Sequence, residues 1–177
     1  MLGTGVAGLA AGPFVAACSL LAIAGIGKIT NPRPAGEAVA AAGLRLPRAA
    51  VAGFGTLELA AGVTGIAVGR AAALAVAACY LVLTAFAWRL LRRAPATPCA
   101  CLGSSSAPVS RVHVIVNVAA VGTAIAAASG GSPLALLTHH PLAGVLFVAL
   151  VGCCVQLVAL AFDALPVLHR ATKEAAS

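Results

Sequence analysis

Residues 71–88 read AAALAVAACYLVLTAFAW, an uninterrupted run of apolar and small side chains without a single charge. Ala and Leu dominate the run, and it lacks the two-residue alternation that marks the strands of an outer-membrane barrel. A helix needs about 20 apolar residues to cross the hydrocarbon core of a bilayer. This stretch, extended to 71–91, is therefore predicted to be a transmembrane helix.

Four further stretches have the same character, namely 8–28, 49–69, 112–128 and 142–162. The whole chain is 62% hydrophobic and only 8% charged, with a mean hydropathy of +1.07, whereas about 25% of the residues of an average soluble domain are charged. Helices bond every backbone polar group within their own segment, as lipid requires. The sequence predicts an all-α membrane protein, a bundle of five transmembrane helices that forms one domain, 1–177.

The positions of the basic residues predict the topology of these spans. The net charge is +7, yet the basic residues are not collected in a patch for nucleic acid. All but Arg70 lie on one side if the N-terminus is outside and the C-terminus is inside, and short basic loops stay cytoplasmic. We therefore predict a multi-pass protein of the cytoplasmic membrane. The residues on that inner side are Lys28, Arg33, Arg45, Arg48, Arg89, Arg92, Arg93, Arg111, Arg170 and Lys173.

The loop over 29–48 has two interpretations. Pro32, Pro34 and Pro47 bracket a small apolar stretch that would suit a short amphipathic helix along the membrane interface. An ordinary connection between two spans is the other interpretation.

The short polar break after the third span, PCACLG at 98–103, holds two cysteines one residue apart. Cys99 and Cys101 are predicted at the cytoplasmic edge of the membrane, where solvent and partners can reach a thiol. The other four cysteines lie inside predicted spans, where a thiol acts as a small apolar side chain. These four are Cys18, Cys79, Cys153 and Cys154.

The spacing of Cys99 and Cys101 limits their chemistry. Residues two apart on a helix point away from each other, so a disulfide between them requires a turn or loop, which Pro98 and Gly103 favour. A strained ring of this kind would be a labile, exchanging disulfide. A closed zinc site needs four ligands, and the nearest further candidate is His113, so a redox pair is favoured over a metal site. Two incidental cysteines in a reduced loop remain the alternative.

Glu58 lies near the middle of the second span, where a charge costs about 2 to 3 kcal/mol on insertion scales. It must face the bundle, pair with another group or be protonated. Asn117 in the fourth span is the predicted partner. The pair is interpreted either as an interhelical hydrogen bond that holds the bundle or as a proton, carrier or quinone site. Other polar groups considered as partners are Tyr80, Thr84 and Gln156.

Three stretches resemble the MauE (methylamine-utilisation) family of membrane proteins, itself similar to the DoxX group. They are GIGKITNPRPAGEAVAAAGL at 25–44, GTLELAAG at 55–62 and CACLGSSSAPVSRVHVIVN at 99–117. The resemblance covers about 15–128 and implies a four-helix core, beyond which the span at 142–162 is additional.

The resemblance implies a role in maturation of methylamine dehydrogenase, by assisting disulfide formation or subunit export. Carried over by position, Cys99 and Cys101 would be the redox pair, and Glu58 and Asn117 the intramembrane polar residues. Beside the lipid bilayer, the partners considered for the pair are a thioredoxin-like protein or a partner enzyme. The sequence assigns no cofactor, and a quinone is one candidate. A non-catalytic scaffold or export factor for a partner enzyme is the alternative function.

Overall fold

The computed structural model describes residues 3–67, 70–100, 108–129, 151–158 and 160, with side chains from residue 11 onward. The described helices are α1 (Gly3–Thr30), α2 (Pro32–Ala41), α3 (Arg48–Ala67), α4 (Arg70–Arg93) and α5 (Arg111–Ala128). Four of these five helices, all but α2, are long and apolar enough to cross a membrane. The protein is therefore a multi-pass membrane protein, and every regular element in the described residues is a helix.

The first four predicted spans are confirmed, since α1, α3, α4 and α5 each overlap one of them almost completely. The predicted fifth span, 142–162, lies largely outside the described residues. Within it, residues 151–158 are helical, and Val151 is buried against Val15 and Ala16 of α1.

The four long helices pack in a ring that follows the chain order. α1 contacts α3 and α5, and α4 contacts the same two helices. Their shared core consists mainly of large apolar side chains on α1 and α4 set against alanines of α3 and α5, including Phe14, Leu21, Val76 and Ala124. Successive long helices run antiparallel, so the connections between them lie alternately at the two opposite ends of the bundle.

Glycines let α1 and α3 approach each other closely. A Cβ on Gly25 would lie 2.5 Å from the carbonyl oxygen of Gly55 and 2.6 Å from the amide nitrogen of Leu59. A Cβ on Gly62 would lie 2.5 Å from the carbonyl oxygen of Cys18. Small residues at such crossings are what allows transmembrane helices to pack backbone against backbone.

The connection between α1 and α3 forms a short helix, α2, so the amphipathic-helix interpretation of this loop is confirmed. Pro32 occupies its first position, and Gly43 ends it in a left-handed conformation with φ of +75°. Arg89 of α4 donates a hydrogen bond from Nε to the carbonyl oxygen of Ala42, 2.8 Å away. This bond fixes the end of α2 against the end of α4.

The described basic residues are distributed unequally between the two ends of the bundle. The C-terminal ends of α1 and α4 and the N-terminal ends of α3 and α5 share one end, and with their connections they carry eight of the described basic residues. Arg70, at the start of α4, lies at the other end. The eight are Lys28, Arg33, Arg45, Arg48, Arg89, Arg92, Arg93 and Arg111.

Candidate functional site

A buried ion pair joins α1 to α3 below the basic end of the bundle. Lys28 Nζ donates a hydrogen bond to Glu58 Oε1 at 3.0 Å and lies 2.8 Å from Oε2. The Glu58 side chain is fully buried and that of Lys28 is 7% exposed. Because both groups are buried, each charge is stabilised mainly by the other. Loss of either group would leave an uncompensated charge inside the bundle.

The close crossing of α1 and α3 brings these two residues together. A Cβ on Gly55 would lie 2.8 Å from Lys28 Cβ, so the bare backbone of Gly55 makes room for the lysine side chain. Lys28 lies in the last turn of α1, where the helix dipole also favours a cation. Glu58 lies one turn beyond Gly55 on the same face of α3.

The prediction that Asn117 is the partner of Glu58 was wrong, because Lys28 occupies that place. Asn117 is buried on α5, and among the described residues no hydrogen bond joins it to Glu58. Tyr80 donates instead to the carbonyl oxygen of Ala17, 2.7 Å away, and Thr84 donates to the carbonyl oxygen of Tyr80. Gln156 is exposed. In the sequence, the position of Lys28 at the end of the first span indicates only topology.

The chain around Cys99 is not helical, as its spacing from Cys101 predicts. Pro98 and Pro108 form an isolated antiparallel bridge, and the amide of Val109 donates to the carbonyl oxygen of Thr97 at 3.0 Å. Ala100 has a φ of +51°, a left-handed conformation that costs a residue with a Cβ about 1–2 kcal/mol. The backbone of Ala100, the residue that follows Cys99, is therefore strained.

Cys99 is disulfide-bonded and only 2% exposed. It packs with alanines of α2 and with Leu90 and Val109 in a second apolar cluster. The expectation that solvent reaches this sulfur was therefore wrong, because apolar residues of α2, of α4 and of the segment before α5 enclose Cys99. The other described cysteines are free, which leaves Cys101, outside the described residues, as the remaining cysteine of the chain. The free ones are Cys18, Cys79, Cys153 and Cys154.

His113, considered as a further metal ligand, is part of the start of α5. Its Nδ1 accepts a hydrogen bond from the backbone amide of Ser110 at 3.2 Å, which satisfies a donor that the helix itself leaves unbonded. Within the described part of the chain, no three His, Cys, Asp or Glu side chains come together in a group that could hold a metal ion.

An apolar cavity of about 800 Å³ lies between α2, α3 and α4, with Cys99 in its wall. Most of its lining is aliphatic or aromatic, and Lys28 and Arg89 are the charged side chains among the described lining residues. Lys28, the basic member of the Lys28–Glu58 pair, and the disulfide-bonded Cys99 therefore both border this cavity. No local sequence pattern reveals the cavity, because its described walls come from four helices and two connecting segments that are distant in sequence.

Comparison with known proteins assigns the chain to a family. A family model described as methylamine utilisation protein MauE matches residues 6–130, more than half of the chain. No curated protein and no solved structure matches the chain. The matched range contains α1 from residue 6 onward, the helices α2 to α5, the Lys28–Glu58 pair and both cysteines of the 99–101 stretch. The chain therefore belongs to the MauE family of membrane proteins.

Proposed function

We propose that this protein carries out thiol–disulfide exchange through Cys99 and Cys101 and so assists the maturation of a partner protein. The observation that carries the proposal is the disulfide of Cys99, which lies in the wall of an apolar cavity next to the strained backbone of Ala100. The family description connects such proteins with methylamine utilisation, so the partner we propose is a subunit of an amine-oxidising enzyme or a thioredoxin-like protein that serves it.

The exchange has two steps, with Cys101 as the sulfur that meets the partner because Cys99 is buried. A thiolate of the partner attacks Cys101 Sγ, forms a mixed disulfide and releases the thiolate of Cys99. The second thiol of the partner then displaces Cys101. The partner loses two electrons and two protons and gains a disulfide, and the Cys99–Cys101 pair becomes a dithiol.

Removing the pair is expected to abolish this exchange. In the oxidised wild type, a reduced dithiol peptide should become oxidised in a ratio of one disulfide per protein, and Cys99→Ser/Cys101→Ser should give none. Peptide oxidation and the thiols of the protein are counted by alkylation and mass spectrometry. The matched control is Cys153→Ser/Cys154→Ser, which removes two free, exposed cysteines and should leave the exchange unchanged.

The same variants separate this function from the alternative of a non-catalytic scaffold or export factor. If Cys99→Ser/Cys101→Ser still matures the partner in cells, or if the control loses as much activity as the pair variant, exchange at Cys99 and Cys101 is excluded. The scaffold function would be established by two results together. The double-substituted protein would still mature the partner, and variants that no longer co-purify with the partner would fail to do so.

We further propose five spans with the N-terminus outside, which places the cysteine pair at the cytoplasmic end. The unequal charge of the two ends of the bundle supports this orientation. Stable disulfides are rare in that reducing compartment, so the disulfide that we propose there is a transient, exchanging one.

Reporter cysteines test this orientation. Glu37→Cys on α2 and Arg70→Cys at the start of α4 place exposed thiols at opposite ends of the bundle. With a membrane-impermeant thiol reagent, Arg70→Cys should be labelled in intact cells and Glu37→Cys only after the cells are opened, with the wild type as the blank for native cysteines. Labelling of Glu37→Cys in intact cells would reverse the proposed orientation.

A further inference from the structure

We propose that the cavity beside Cys99 binds a quinone, and that this quinone reoxidises the Cys99–Cys101 pair. The inference rests on the proposed thiol–disulfide exchange and adds the electron acceptor and its site. An exchange protein that oxidises its partner ends each cycle as a dithiol, so it needs a two-electron acceptor. The acceptor must reach a sulfur that is shielded from water, because Cys99 is 2% exposed.

The size and lining of the cavity suit a lipid-soluble aromatic ring. A volume of about 800 Å³ lies within the range of about 300–1,000 Å³ typical of small-molecule sites. Phe54 and Phe86 provide aromatic surface, and Leu57, in the middle of span α3, is 63% exposed at the cavity wall. An exposed leucine at that depth faces hydrocarbon, so the cavity is open to the bilayer in which a quinone with an isoprenoid tail dissolves.

The charges around the cavity favour an electron acceptor over a plain hydrocarbon chain. Lys28 and Arg89 are hydrogen-bond donors in its wall, and no carboxylate belongs to the described lining. Quinone carbonyl oxygens accept such bonds, and positive charge stabilises the oxygens as they become negative during reduction. Glu58 is a positioning residue here, because it holds the Lys28 ammonium group by two close oxygens at the edge of the cavity.

The electron balance of the step is complete with the quinone as co-reactant. The thiols of Cys99 and Cys101 lose two electrons and two protons and form one S–S bond. The quinone gains the same two electrons and two protons at its ring oxygens and becomes a hydroquinone. The hydroquinone then leaves through the lipid-facing opening for reoxidation elsewhere in the membrane.

Glycine substitutions provide a direct test, because the cavity can be filled without disturbing the packing. Gly53 lines the cavity, and a Cβ there would meet nothing within 4 Å. Gly53→Leu therefore places a side chain in the quinone's space. The matched control is Gly122→Leu on α5, where a Cβ also meets nothing within 4 Å and which lies outside the described cavity lining.

The assay uses full-length, dithiol-reduced protein in nanodiscs without oxygen, with decylubiquinone as the probe because its fully substituted ring does not alkylate thiols. Loss of quinone absorbance and loss of thiols are followed together. The wild type and Gly122→Leu should consume one quinone for each disulfide formed, Gly53→Leu should be slower by about tenfold or more, and Cys99→Ser/Cys101→Ser should show no reaction. Peptide oxidation by pre-oxidised Gly53→Leu should equal that of the wild type.

Three results overturn the inference. If decylubiquinone leaves the wild-type dithiol reduced, a quinone is excluded as the acceptor. If the pre-oxidised protein still oxidises the peptide in that case, the proposed thiol–disulfide exchange is retained. Equal rates for Gly53→Leu and the wild type exclude this cavity as the site. Lipid that co-purifies in the cavity and is not displaced by decylubiquinone assigns the cavity to a structural acyl chain.

Discussion

Removing one partner of the Lys28–Glu58 pair is expected to destabilise the bundle by about 3–5 kcal/mol, while removing both should restore most of the loss. Either Lys28→Met or Glu58→Met leaves the opposite group buried without its counter-charge, and at this depth water cannot solvate it. In Lys28→Met/Glu58→Met, two apolar side chains of similar length fill the space between α1 and α3. The free energy of unfolding, measured by denaturant titration in mixed micelles, gives the coupling between the two sites.

The second ion pair of the described chain is the matched control for this cycle. Arg33 Nε lies 3.6 Å from Glu37 Oε1 one turn apart on α2, with both side chains about three-quarters exposed. Because water screens an exposed pair, Arg33→Met and Glu37→Met should each change the free energy of unfolding by no more than about 0.5 kcal/mol. Additive losses in the Lys28–Glu58 cycle would contradict the prediction, since they would mean that the two buried charges do not stabilise each other.

Gly25→Val is expected to cost at least about 3 kcal/mol, at the upper end of the range for overpacked cores. The new Cβ would lie 2.5 Å from the Gly55 carbonyl oxygen and 2.6 Å from the Leu59 amide nitrogen, and backbone atoms have no rotamer by which to move away. α1 and α3 must then separate, which also pulls Lys28 from Glu58. We expect a lower yield of folded protein in detergent and an earlier unfolding transition.

A valine at an open glycine separates this packing effect from the effect of valine on a helix. A Cβ on Gly122 of α5 meets nothing within 4 Å, so Gly122→Val should unfold at nearly the wild-type denaturant concentration. Equal losses for the two valine variants would show that the approach of α1 to α3 is not the constraint at Gly25.

Much of the fold follows from the sequence, because a continuous apolar run of span length has few alternatives in lipid. The stretch at 71–88 lies within α4, and the predicted spans 8–28, 49–69 and 112–128 correspond to α1, α3 and α5, with ends displaced by a few residues. The proline pattern before 48 left open a helix or a loop. α2 forms because Pro32 suits a first turn and Gly43 permits the left-handed ending.

Only part of the candidate site could be predicted from the sequence. Cys99 and Cys101 stood out because a dithiol in a polar break is unusual, and Glu58 because a carboxylate at bilayer depth needs a partner. The identity of that partner depends on the axial position of α1 relative to α3. Close backbone contacts at Gly25, Gly55 and Gly62 set this position. Thirty residues separate Lys28 from Glu58, and no periodicity within one helix encodes a register between two.

The sequence by itself determined that the chain is a helical membrane protein with a cysteine pair at the basic end of its bundle, because hydropathy, charge and spacing are local properties. Only the tertiary structure decided that Lys28 pairs with Glu58, that α2 and α4 together enclose Cys99 and that a cavity lies beside its disulfide. These features exist where separate helices meet. Their free energies depend on packing distances across the bundle, which no single stretch of the chain specifies.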